Sequence, residues 1–338
     1  MAHVLAASTK DWLLEGEPWV ELRTRLDLLG EDARSVAVRD AYEAMVAHPE
    51  IAALCRQVMD AWAQEIVTSH KKADLAYQRL AFLADAGLRA ADEPGAALVR
   101  IALSRLSAEG VPLVGICVPV HFGGPGQNAL GWALCDTPSI LASVLAMGGP
   151  PKDLRPQMEA GIRHLVGLAR QEGFPCAVSA ELGRFRGPGR KEDPCPYATL
   201  LMLKVLQQLP DDFDTGGTVV SDLVCQCADC LLSLWENSRA RHPYLFYMGT
   251  DFRKVKAPLV WYDLVHVADV LSRCPSTAGD NRMRDMVSVL FSQADAEGRF
   301  TPQSVWKAWS GWDFGQKKAP SRWLTLLAWR IARRTGMA

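Results

Sequence analysis

Residues 251–264 read Asp-Phe-Arg-Lys-Val-Lys-Ala-Pro-Leu-Val-Trp-Tyr-Asp-Leu, and residues 313–326 read Asp-Phe-Gly-Gln-Lys-Lys-Ala-Pro-Ser-Arg-Trp-Leu-Thr-Leu. Seven of the fourteen positions are identical, without a gap, 62 residues apart. A fixed period of this size marks one supersecondary unit used more than once. It restricts the fold to stacked copies, because such a unit cannot bury its apolar face alone.

The echo supplies a register for weaker copies. Pro258 and Pro320 are each expected to open a helix, an apolar stretch with helical spacing. Pro is favoured in the first turn of a helix, where its missing N–H costs nothing. Pro196 lies 62 residues before Pro258, and Pro138 lies 58 before that. The stretch from Leu75 to Asp85 is an earlier copy without the proline. A second helix is expected ahead of each, stopping at Gly110, Gly173, Asn237 or Gly298, with residues 50–66 completing the first pair. Alternation with period two is almost absent, so strands are not expected. The expected architecture is all-α: about five helix hairpins with a repeat of about 60 residues, closed into an (α/α) toroid. The toroid domain would cover residues 51–338, with residues 1–50 as a helical lead-in.

Ser292-Gln-Ala-Asp-Ala-Glu-Gly-Arg-Phe300 resembles the Gln…Gly-x-Trp repeat of squalene–hopene type cyclases. Leu103–Gly110 and Val166–Phe174 resemble more degenerate copies of it. From about residue 50 to 335 the chain resembles the α/α-toroid superfamily of terpene cyclases and protein prenyltransferase β subunits. That family's Asp-x-Asp-Asp motif and its Asp…Cys…His zinc set are not found in the sequence. The resemblance implies the toroid and cyclase-like chemistry in a central cavity.

Composition narrows the partners. Lys and Arg number 37 against 38 Asp and Glu, for a formal charge of −1, so nothing global favours nucleic acid or an anionic membrane surface. No apolar run approaches the ~18 residues that span a bilayer. The first ten residues lack the pattern of a signal peptide, and a cytoplasmic location is the expectation. The nine cysteines fall mostly within apolar helical stretches and read as buried thiols. Cys225, Cys227 and Cys230 have no complementary pair, so neither a metal nor another cofactor is required.

Four long loops stand at one position of the repeat: 111–128, 174–195, 238–257 and 299–319. Loops of such length are usually functional. They would bring together Arg184, Arg186, Arg253, Lys254 and Lys317, a set suited to an anionic small molecule. Trp261, Tyr262 and Trp312 would line the cavity. Gly-Gly-Pro-Gly at 123–126 and Gly-Pro-Gly at 187–189 read as tight turns. Four residues are candidates for proton handling: Asp263, which breaks the repeat at a position filled by Thr325, then Asp136, Glu181 and His121. A thiol at Cys135, Cys176 or Cys195 is a weaker nucleophile candidate, His266, four residues after Tyr262 on one helix, reads as core, and His70 carries no functional signal. The expected function is a biosynthetic enzyme that closes a ring with loss of sulfate or diphosphate. The alternative is a non-catalytic toroid binding a ligand or protein partner, or one subunit of a heteromeric enzyme.

Overall fold

A computed structural model describes residues 4–187 and 189–337. The protein is mostly helical, with 51% of it in helix and 14 helices among the described residues, plus one three-stranded sheet. The sheet amends the all-α expectation. β1 (Ile66–Val67) pairs in parallel with β2 (Val114–Cys117), which pairs antiparallel with β3 (Asn128–Gly131). Strands of two to four residues are too short to display alternation, which is why the sequence pattern conceals them.

The chain forms two compact units, one of residues 54–231 and 240–247, the other of residues 1–53, 232–239 and 248–338. In the first unit, α1 (Ala76–Ala86) packs on α2 (Thr137–Ala146), and α2 on α3 (Pro196–Leu206). Every residue of α3 is buried, as are all but the last of α2, and helices apolar on all faces belong in the interior. The one cation of α3, Lys204, lies 3.8 Å from Asp85 of α1. In the second unit, α4 (Leu264–Leu271) packs on α5 (Arg322–Arg334). Asp269 of α4 is fully buried and accepts from Arg273, Arg330 and Arg334 at 2.8–3.0 Å.

Two of the proline positions stand as the spacing predicts, and two expectations are corrected. Pro196 is the first residue of α3 and Pro138 lies in the first turn of α2, as the spacing predicts. Pro258 and Pro320 do not open helices; α4 begins at Leu264 and α5 at Arg322. A side-chain cap sets each start: Asp263 accepts the His266 N–H at 3.0 Å, and Ser321 Oγ accepts the Leu324 N–H at 3.1 Å. Such caps satisfy an otherwise orphaned N–H and define the first turn. The glycines also act differently from expectation. The helices before them end at Ala102, Val166 and Phe291, and the glycines close later turns, donating to Ser107, Arg170 and Asp295 at 3.0–3.2 Å.

Past each of the last two turns comes a recurring clasp. The Phe174 N–H donates to Thr199 Oγ1 at 3.0 Å, and the Phe300 N–H to Thr325 Oγ1 at 2.9 Å. The Cys195 and Ser321 N–H groups donate back to the Phe174 and Phe300 carbonyls at 2.7 and 2.9 Å. Both strips of loop are thereby fastened to the start of a buried helix.

Candidate functional site

The residue just before each buried helix is its N-cap: Leu75 for α1, Asp136 for α2, Cys195 for α3, Asp263 for α4 and Ser321 for α5. Asp263 is therefore equivalent to Ser321 and not, as the ungapped echo has it, to Thr325. Two of the candidate acids, Asp136 and Asp263, occupy the same position in different copies.

They are used differently. Asp263 serves as a cap, and its second oxygen lies 3.7 Å from Lys256 Nζ. Burial raises its pKa to about 6, against the opposing pull of Lys256. Asp136 makes no side-chain cap. It is 0% exposed and accepts Tyr77 Oη at 2.6 Å and His70 Nδ1 at 2.9 and 3.0 Å. A carboxylate partner on Nδ1 fixes the proton there and leaves Nε2 as the basic nitrogen. Burial alone would depress the His70 pKa, but the charge and hydrogen bond of Asp136 outweigh it and raise the value. Burial, reinforced by the Asp136 charge, holds the Tyr77 hydroxyl well above its usual range, so it remains a donor.

His70 lines a pocket of about 430 Å³ in the first unit. Val67, Ile116 and Val118 from the sheet region form apolar wall, with Leu182 and Phe185 from the loop 174–195. Phe122 lies at this pocket and is 56% exposed, and Arg186 is the one arginine or lysine among the described residues that line it. Two glycine turns make the wall possible. The Arg184 N–H donates to the Gly123 carbonyl at 2.9 Å, and a Cβ on Gly183 would sit 2.6 Å from that carbonyl oxygen. Only a residue without Cβ permits so close an approach, and Gly183 also has φ +74°. Gly189 lies against the Tyr244 ring, where a Cβ would come within 2.6 Å, and Tyr244 Oη donates to the Arg190 carbonyl at 3.0 Å. Close approaches at Gly123, Gly183 and Gly189 thus seat the loop that carries Phe185 and Arg186, while residue 188 of the turn read at 187–189 lies outside the described residues.

Other predicted residues lie elsewhere. Glu181 is exposed on the short turn Ala180–Leu182, whose Leu182 faces the pocket. His121 is exposed and lies against Phe122, ring centroids 4.2 Å apart and planes tilted by 48°. The Arg184 side chain is exposed and is not among the pocket residues. In the second unit, Arg253 lies over the Trp235 ring at 5.0 Å, and Lys254 pairs with Asp251 at 2.6 Å. Lys317 is exposed. Tyr262 is buried against Phe252 at 5.3 Å, and the Trp261 carbonyl accepts His266 Nδ1 at 2.8 Å. Trp312 packs with Trp19, Trp309 and Phe314 at 5.1–5.7 Å, an aromatic cluster of the core. Cys195 is buried beside Cys135, whose hydrogen bond lowers its pKa, while burial lifts Cys176 to about 11. The Cys225–Cys230 stretch lies in the helix Val220–Glu236, and among the described residues no cluster of His, Cys, Asp or Glu is arranged to hold a metal.

No family model matches the chain, and no curated relative matches it. One similar solved structure, described as a protein from Actinoplanes, is 12% identical, with TM-score 0.43, over 94% of this chain and 90% of that one. A likeness of that size carries no argument about fold or function. Among the described residues no helix is long and apolar enough to cross a membrane.

Proposed function

We propose that the protein is an enzyme of small-molecule metabolism whose proton-transfer group is His70. The observation that carries this reading is the use made of Asp136. A buried carboxylate at a helix N-cap would ordinarily serve the helix, yet this one makes no side-chain cap and holds an imidazole that lines a pocket. A carboxylate-oriented histidine beside an apolar cavity is suited to general acid–base work. Arg186 supports an anionic substrate. Ring closure, in which His70 takes a proton from the attacking group while an anion departs, fits the same residues and agrees with the terpene-cyclase resemblance. The recurring Phe–Thr clasp supports an array of helix hairpins of the kind α/α toroids use.

The test is a comparison of wild type with His70→Gln in a metabolite extract followed by mass spectrometry. Compounds consumed by the wild type should persist with the variant. The rate should rise with pH through the raised His70 pKa, because the base must be deprotonated. Equal consumption by both proteins would exclude His70 as the base. Binding without consumption by either would leave a ligand-binding role.

A further inference from the structure

Resting on the small-molecule reading of this pocket, we propose that its ligand is an apolar monoanion: a hydrocarbon body of medium size ending in a single carboxylate-like charge. Three features lead there. Val67, Ile116, Val118, Leu182 and Phe185 make most of the wall apolar, and the hydroxyls of Thr68 and Ser69 stand beside His70 at one part of it. Phe122 belongs to the same wall while 56% exposed, so an apolar ligand would cover surface that is otherwise wet. The cationic provision is small. Among the described residues Arg186 is the one arginine or lysine lining the pocket, and the charge on a protonated His70 is already matched by Asp136. One guanidinium meets one carboxylate with paired hydrogen bonds, whereas a diphosphate would leave several charges without partners.

Size follows from volume. At ~30 Å³ per water-sized group, a pocket of about 430 Å³ holds on the order of ten to fifteen non-hydrogen atoms. An eight-carbon acid falls at the lower edge of that range.

Calorimetric titration with octanoate, butanoate and 1-octanol tests the assignment. Each methylene buried in the pocket should tighten binding about fourfold, so octanoate should bind about a hundredfold or more tighter than butanoate. Octanoate should also bind about tenfold or more tighter than 1-octanol, and Arg186→Gln should erase that second difference. Arg186 is exposed, so the variant keeps the fold. Cys117 lines the pocket and gives an independent signal: octanoate should shield it from iodoacetamide while exposed Cys225 reacts unchanged. Equal binding of acid and alcohol, equal binding of the two acids, or an unshielded Cys117 would overturn the proposal. The two readings fail separately. Octanoate binding with turnover that survives His70→Gln sinks the catalytic role alone; His70-dependent turnover without octanoate binding sinks the ligand class alone.

Discussion

Asp136 and Asp263 each stand just before a buried helix, as its N-cap residue, and each is almost wholly buried. Asp263 has a backbone N–H and a lysine near it; Asp136 has a tyrosine and a histidine. The difference teaches that in a repeat the position supplies burial, and the neighbours supplied by the intervening loops decide the chemistry. Asp263 spends its charge on starting a helix. Asp136 transmits its charge to an imidazole at a pocket.

The sharpest way to break this contrast is to exchange the two acids' importance. His70→Gln should lower turnover by about 10²–10⁴-fold, a usual loss for a general acid–base group, while Asp263→Asn should leave it within about threefold. Steady-state rates on the substrate found by the extract experiment decide it; loss in Asp263→Asn alone would transfer the catalytic role to the second unit. Asp136→Asn sharpens the same point from its other side. It removes the charge that raises the His70 pKa, so the low-pH limb of the rate profile should move to lower pH and the rate at its plateau should fall at least about tenfold.

A stability measurement comes next in size. Asp263 has a folded pKa of about 6, above its ordinary 3.8, so the folded state holds the proton more tightly than the unfolded chain. Its contribution is therefore full below about pH 4 and is lost as the pH rises through 6. Relative to Asp263→Asn, which stays neutral, the wild type should lose on the order of 2 kcal/mol between pH 4 and pH 7. Urea denaturation at both values measures this, and a constant difference would mean that Lys256 keeps the carboxylate charged throughout. The smallest effect belongs to Tyr77→Phe. Loss of its 2.6 Å bond to Asp136 should cost about 1–2 kcal/mol of stability and shift the His70 pKa slightly, read by NMR titration of the imidazole.

Much of the helical framework was legible in the chain. Apolar residues at helical spacing point to all five buried helices, and prolines in the first turn mark two of them, α2 and α3, because both are local signals. Helix starts at α4 and α5 were misjudged because a cap is a contest between neighbours, and Asp263 and Ser321 win it over Pro258 and Pro320. The strands escaped because two to four residues display no period. Of the site, Asp136 and Arg186 were legible as an acid and a cation in loop contexts. His70 was not. It follows the short β-branched run Ile66-Val67-Thr68, and that run was its one local signal. Its partners Asp136 and Tyr77 are 66 and 7 residues away in the chain, and no spacing rule joins them.

The sequence by itself determined the repeat, the buried helices and which loops carry unusual residues, because these depend on local propensity and on apolar period. The tertiary structure alone decided which acid does what. Burial turns a carboxylate into a strong force on whatever group is packed against it, and that neighbour is chosen by chain segments that meet only when the helices pack. Asp136 met His70 and Tyr77; Asp263 met Lys256 and its own helix.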